Sequence, residues 1–559
     1  MKMNFYTKSA IIAFAGTLMM SSCADKLNIT DPNKFTDEQI EDILMNGTDA
    51  QREMILGGLA ANMPGQLCRR DNKMYGGFSN MTYNNEWAFA MMRDLQCGDI
   101  VYGDTRNTAG WGRYYRNDPS LMYWESNQVE SCYGYWVGPS LIINEANKVL
   151  MYLSDDIVSA SALLKKYKAQ CLTVRAFGYM ELMERFTKSY LHGGKEGTGM
   201  PIYTKYAYNE PVAPSSAEET WIFIKEDLNQ AVELFGESNF GNGGYTIGNT
   251  QTEVYDIDLG ITQYMVARAA LQTGDYQSCI TACKDILDHY GWKFIEEKHY
   301  GAANSRVKAI CEKKDDVFAD DNAFMSVAVN PECMFGWTND SNQYPWFYLD
   351  PFNSSNGGYG EDYMQIDDVL YSKFADTDYR KERFTTEINE FPYFEIVFND
   401  TVWYPKNIPA FTSLKWAASI ASDQDKRTHD KTNSDVILFR TSEVLLMLAE
   451  AQAVSGDENG AKETLNKLLA ARTKAEATPL TCDTYPSMQG KSALEMVKLQ
   501  WRMEMWAENG MNFFNHKRWN EAPVYEGSNH WSDKTSVTIE HMTWDIPDKE
   551  TQTNPNWGK

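Results

Sequence analysis

Apolar residues recur at the spacing of an amphipathic helix along Ser161–Lys188 and again along Ala217–Phe235, which predicts two packed helices. Two later stretches share a finer pattern. Ala267–Leu287 reads ARAALQTGDYQSCITACKDIL and Ala449–Leu469 reads AEAQAVSGDENGAKETLNKLL. In each, an apolar helix runs into Gly-Asp, at Gly274-Asp275 and Gly456-Asp457, and five positions after the Gly stands a small residue, Cys279 or Ala461. Cys283 and Ile286 follow in one copy, Leu465 and Leu468 in the other. The small residue lets a second helix approach the first, and the later apolar pair faces the groove between them.

That grammar is the helix–turn–helix of tetratricopeptide repeats, so the expected fold is mainly α, a tetratricopeptide-repeat-like helical scaffold. Other stretches break the helical period. His192–Pro214, rich in Gly, Pro and Tyr, reads as a loop crossing. Met63–Ser131 and Asn330–Ser372 are dense in Gly, Asn, Asp, Tyr and Trp, and predict long irregular loop insertions. PYFEIVFNDTVWY, ending at Tyr404, alternates about Asn399-Asp400 and predicts a small β-hairpin. Loops this aromatic are not the composition of disorder, so function is expected in them.

The N-terminus reads as an export signal. Lys2 and Lys8 give a positive flank, and the apolar run Ala10–Met20 is too short to span a bilayer. Small residues Ser21-Ser22 stand directly before Cys23, the arrangement of a bacterial lipoprotein whose mature chain begins at an acylated Cys23. Ala24–Lys34 is polar, as a tether is. Residues 1–22 are thus expected to be signal peptide and the mature protein lipid-anchored. Residues 23–240 would form an N-terminal half, and 241–559 a C-terminal half with a loop insertion at about 300–430.

Composition narrows the partner. A net charge of −25 argues against nucleic acid or an anionic membrane surface, both of which need clustered Lys and Arg. Sixteen Trp and 32 Tyr instead suit the faces of neutral sugars. Ten cysteines leave nine once Cys23 is set aside, an odd number with irregular spacing, so no disulfide framework is expected. Cys279 and Cys283 read as core residues, and Asp315-Asp316 with Asp320-Asp321 as a solvated acidic loop rather than a calcium site. No metal or cofactor is expected.

Five segments, in order, resemble the SusD/RagB-type outer-membrane lipoproteins of Bacteroidetes. SSCADKLNITDP at Ser21–Pro32 looks like their lipidated start, and YGYWVGPSLIINEANKVL at Tyr133–Leu150 carries an N-x-A-N motif at Asn144–Asn147. VILFRTSEVLLMLAEAQAVSG at Val436–Gly456 is similar to their LR-x-x-E helix, through Arg440, Glu443, Ala449, Glu450 and Ala451. RMEMWAENGMNFFNHKRWN at Arg502–Asn520 resembles a further family pattern, but inserts Asn509 and has Asn512 and Asn515 where Arg and Asp are usual. WDIPDKETQTNPNW at Trp544–Trp557 looks like the family's close. The departures touch a scaffold contact.

The resemblance implies a cell-surface, outer-membrane binding protein without catalytic residues. It would take up an oligosaccharide or polysaccharide, or in some branches a peptide, and deliver it to a SusC-like TonB-dependent transporter. It also implies that ligand loops come from two broad regions, before the first repeat helices and between repeat pairs. Two clusters there pair aromatic rings with hydrogen-bonding rims: Asn107, Trp111, Arg113 and Tyr114, followed by Tyr115, and Trp337, Asn339, Asp340, Tyr344 and Trp346. A surface glycoside hydrolase is the competing class, needing two carboxylates about 5–10 Å apart. Glu443 and Glu450 share a helix face, but Arg440, Arg472 and Arg502 are their expected ion-pair partners. Nucleophile-elbow, zinc-protease, phosphate-loop and dinucleotide motifs are missing from the sequence.

Overall fold

The structure, a computed structural model, describes residues 36–68, 86–103, 115, 130–207, 210–240, 243–245, 254–290, 293–305, 322–337, 363–397, 400–417, 435–532 and 537–557. The first helices, α1 (Asp37–Asn46) and α2 (Asp49–Ala60), each begin with a reciprocal cap, Thr36 with Gln39 and Thr48 with Gln51. Then come α3 (Met63–Cys68), α4 (Glu86–Leu95) and strand β1 (Ile100–Tyr102). All three of these correct the expectation of an irregular Met63–Ser131. EWAFAMMRDL has helical propensity and ends on buried Met91, Met92 and Leu95, although no capping signal announces it.

The scaffold proper starts with α5 (Glu130–Leu150), short α6 (Asp155–Ser159) and the long α7 (Ala162–Phe186), buried nearly all round in its second half. At Gly178 α5 and α7 come so close that an added Cβ would lie 2.8 Å from Ile143 Cγ1 and 3.1 Å from the Pro139 carbonyl oxygen. Strand β2 (Thr198–Pro201), within the predicted loop crossing, pairs with β3 (Pro214–Ser216), which begins at the last residue of that crossing. The helix α8 (Ala217–Ser238) follows, started by a Ser216–Glu219 capping box.

Both predicted repeats are present. One is α9 (Leu259–Thr273) with α10 (Tyr276–His289). After α10 come β4 (Cys333–Trp337), β5 (Met364–Ile366), α11 (Asp368–Ser372), the hairpin β6 (Ile388–Val397) and β7 (Asp400–Ile408), and β8 (Val436–Arg440). The second repeat is α12 (Thr441–Val454) with α13 (Glu458–Ala471). Each turn places Gly at positive φ, +78° at Gly274 and +87° at Gly456, where other residues are strained. The following Asp caps the second helix, Asp457 accepting from the Gly460 N–H at 2.9 Å. Cys279, Cys283 and Ala461 are fully buried, as their repeat positions require. Three helices close the chain, α14 (Ala493–Glu504), α15 (Met511–Trp519) and α16 (Asp548–Thr553). Successive helices stack from α5 through α7, α8, α9, α10 and α12 to α13 and α14.

Two boundaries differ from the sequence reading. The Val436–Gly456 helix begins as a strand: Val436–Arg440 pairs antiparallel with β4, because a fully buried β-branched and aromatic run satisfies its backbone across a ladder. The hairpin pairs Val397 with Asp400, so Asp400 belongs to a strand and not to the turn.

Candidate functional site

The predicted ligand segments leave the scaffold from one hydrogen-bonded seam. β1 and β5 pair antiparallel with Tyr102 opposite Met364, and the Gly103 N–H donates to the Tyr363 carbonyl at 2.7 Å. Segment 104–114 therefore starts beside the place where segment 338–362 ends. β5 continues the seam sideways, since Ile366 N–H donates to Phe411 O at 2.9 Å and Ser413 N–H to Met364 O at 2.9 Å. From there Asn322 donates to the carbonyls of Lys415 at 2.7 Å and Ala417 at 3.0 Å. Asp435 returns the contact, its N–H donating to Met325 O at 3.0 Å and its carboxylate accepting from Val327 N–H at 2.9 Å. Beside it Trp337, at the end of β4, pairs with Val436.

Tyr115 marks the other end of segment 104–114. Its side chain is fully buried, which corrects its place in the aromatic cluster: it anchors and does not face a ligand. Its hydroxyl is 2.7 Å from His530 Nδ1, and His530 Nε2 is 2.9 Å from Asp367 Oδ2. The Tyr115 ring stacks on His530, with planes 8° apart, and meets Trp531 edge-on at 4.9 Å. Burial alone would raise the Asp367 carboxyl. The His530 bond and the N–H groups of Leu370 and Gly527 nonetheless hold it below its ordinary value.

Beneath the seam lies a buried charge network. Arg440 donates to Glu332 at 2.6 Å, Glu504 at 2.8 Å and Glu508 at 2.6 Å. Arg472 bridges Glu332 and Glu504, each at 2.7 Å, and Arg380 reaches Glu504 at 2.9 Å and Asp378 at 2.7 Å. Lys415 pairs with Glu508 and donates to Trp506 O at 2.8 Å. Burial raises a carboxyl, yet the three guanidiniums hold Glu504 well below the usual carboxylate range. The expected partners of Glu443 and Glu450 need correcting. Glu450 pairs with Arg518 at 2.7 Å, Glu443 accepts from Tyr264 at 2.7 Å, and Arg502 pairs with Asp99 at 2.6 Å. Both glutamates are buried in the scaffold, not presented at a cleft.

Asn107, Trp111, Arg113, Tyr114, Asn339, Asp340, Tyr344, Trp346, Cys23 and the paired aspartates at 315–316 and 320–321 lie outside the described residues. Trp337 is described only in its backbone. Among the described residues no three His, Cys, Asp or Glu are grouped to hold a metal. No helix among them is long and apolar enough to cross a membrane. A notch of about 280 Å³, counting open solvent, lies beside Trp221, Gln272 and Lys517. It is shallow, with room for about one water-sized sphere, and the Lys517 amine there donates to the Glu184 carbonyl at the end of α7. His530 and Trp531 escaped the sequence reading. Their only signal is YEGSNHW, a short mix of aromatic and polar residues at 525–531.

Residues 336–557 match the SusD family. Among solved structures, a SusD-like carbohydrate binding protein from Bacteroides vulgatus is 21% identical, with 90% of this chain and 97% of that chain covered and a TM-score of 0.61. A SusD superfamily protein from Bacteroides thetaiotaomicron is 17% identical, covering 91% and 99% at 0.61. NanU of B. fragilis is 17% identical, covering 94% and 98% at 0.57. The curated proteins give no match by sequence. The SusD-family match thus covers the C-terminal part of the chain, and the chain as a whole shares the fold of these SusD-superfamily structures.

The motif residues act as bolts of the scaffold. Asn147 donates to Tyr203 O at 2.8 Å and accepts from Arg175 at 2.9 Å, while Asn144 accepts from the Ala207 N–H at 2.9 Å. Asn554 donates to Val212 O at 2.8 Å and fastens the C-terminal segment to the same crossing. At the departures, Asn512 and Asn515 are buried, and neither amide atom of Asn515 has a hydrogen-bond partner.

Proposed function

We propose that this protein captures an oligosaccharide or polysaccharide at the cell surface and passes it, chemically unchanged, to a SusC-like TonB-dependent transporter. It is held to the outer membrane by lipid on Cys23. The observation that carries the reading is the seam: both sequence segments that combine Trp and Tyr with Asn, Asp and Arg leave the scaffold from its edge. A pyranose offers an apolar face to an indole and a rim of hydroxyls to amides and carboxylates. Asn107, Trp111, Arg113, Tyr114, Trp337, Asn339, Asp340, Tyr344 and Trp346 supply both kinds of group. The SusD-like carbohydrate binding protein with the same fold supports the ligand class. The burial and pairing of Glu443 and Glu450 remove the carboxylate pair that favoured a hydrolase.

The test is a glycan array on the soluble form beginning at about Asp25, followed by chromatography of any glycan bound. Binding with the glycan returned at its original length is expected. Failure to bind any glycan, or turnover abolished by replacing one Asp or Glu, overturns the reading.

A further inference from the structure

Tyr115, His530 and Trp531 form a corner against the β1–β5 ladder, and the chemistry of that corner is directional. His530 needs a donor toward Asp367 and an acceptor or donor toward the Tyr115 phenol, and imidazole supplies both in one rigid plane. Asp367 follows β5 directly, its carboxylate also accepts from the N–H groups of Gly527 and Leu370, each at 2.7 Å, and its own N–H donates to Asp99 O at 3.1 Å. The hydrogen-bond chain therefore starts on the loop 525–531 and ends at the Asp99 end of the short ladder, from whose other end segment 104–114 begins. Tyr102, the last residue of β1, lies 6.4 Å from Tyr115 between ring centroids, so both ends of the segment are held side by side. Trp531, next to His530, is partly exposed, and its ring is fixed by Tyr115 at 4.9 Å and Tyr102 at 6.1 Å. A partly exposed indole, immobilised by two buried phenols, is a surface that a sugar face covers with little loss of side-chain entropy.

We propose that this corner is a further wall of the glycan site, with Trp531 a ring that stacks on a pyranose and His530 the positioning residue that holds it. The proposal rests on the glycan-binding reading above. The full mature chain and its Trp531→Ala, His530→Ala and His530→Gln variants would be titrated calorimetrically with a glycan identified by the array. Trp531→Ala should weaken binding about tenfold or more, the scale of a lost aromatic anchor. His530→Ala should weaken it about tenfold at a stoichiometry near one. His530→Gln, which keeps a donor and an acceptor, should bind within about threefold of the parent. A purely structural role would instead lower Tm in both His530 variants and leave the affinity of the folded fraction unchanged. Parent-level affinity in Trp531→Ala and His530→Ala overturns the inference alone. A parent chain that binds no glycan overturns the glycan reading and this inference together.

Discussion

Replacing Glu504 with Gln tests whether the buried network holds the scaffold by charge. The carboxylate sits between Arg380, Arg440 and Arg472, all of them buried, with contacts of 2.7–2.9 Å. Four cations, with Lys415 as the fourth, face four carboxylates, Asp378, Glu332, Glu504 and Glu508, so the cluster is balanced. Gln keeps the shape and one acceptor oxygen but leaves one positive charge in excess. Removing one partner of a buried pair costs about 3–5 kcal/mol, and the retained acceptor places this change near the lower end. A chain of 559 residues has an unfolding entropy of roughly 1 kcal/mol/K at about 2.1 cal/mol/K per residue, so Tm should fall by about 3 °C. The pH dependence gives a sharper reading. The folded pKa of Glu504 lies well below its unfolded value, so its contribution is present above the unfolded value, about 4.3, and is lost as pH falls toward the folded one. Calorimetric melts of parent and variant should therefore differ most near pH 7 and converge in acid. A gap that is absent at pH 7, or that widens as pH falls, refutes the reasoning.

Glu443 has the opposite sign. Burial raises its pKa to about 7, so its favourable contribution is present at low pH and lost as pH rises through that value, and Glu443→Gln should gain about 2–3 kcal/mol on the parent between pH 5 and pH 8 in denaturant titrations. Ala461→Trp should unfold the second repeat, because Ala461 is fully buried between helices with no room for an indole; circular dichroism melts check this. Trp111→Ala or Trp346→Ala should weaken glycan binding by roughly 1–3 kcal/mol with little change in Tm. Cys23→Ala should release the protein from membranes in high salt and apart from any transporter, read by fractionation.

The repeats were legible because their signals are local. A 3.6-residue apolar period, a Gly at a left-handed position and an Asp cap all fall within one helical hairpin, and α9–α10 and α12–α13 came out as read. α4 was not legible, since its apolar run lacks caps and sits among Gly, Asn and Tyr. β8 was hidden because VILFR runs unbroken into an equally apolar helix, and only its partner strand, some hundred residues earlier, decides its state. Ion-pair partners failed for the same reason. Arg440 and Glu443 lie within one turn of each other, yet Arg440 pairs with Glu332, Glu504 and Glu508, which no local spacing announces. His530 belongs to no motif, and its role exists only because folding brings Tyr115 and Asp367 to its two nitrogens.

The charged network and the seam are parts of one device. Glu332 stands just before β4, which ends at Trp337, where segment 338–362 departs. Lys415 lies two residues before Ala417, where segment 418–434 departs, and Arg440 closes β8, which that segment enters. Asp99, paired with Arg502, stands directly before β1 and so before segment 104–114. Each of these departures thus lies within a few residues of a directional ion pair, fully buried in the network and partly buried at Asp99–Arg502. A purely apolar core of equal volume can match such pairs in stability, but it tolerates repacking and small shifts of its strands. Bidentate arginines do not, because each nitrogen is already committed to a particular oxygen. On the proposed glycan-binding role, loops that hold rings against a sugar need roots fixed in that way, while their own residues remain free to vary with the ligand. Recognition can then change by exchanging loop residues, with the ion pairs that aim the loops left untouched.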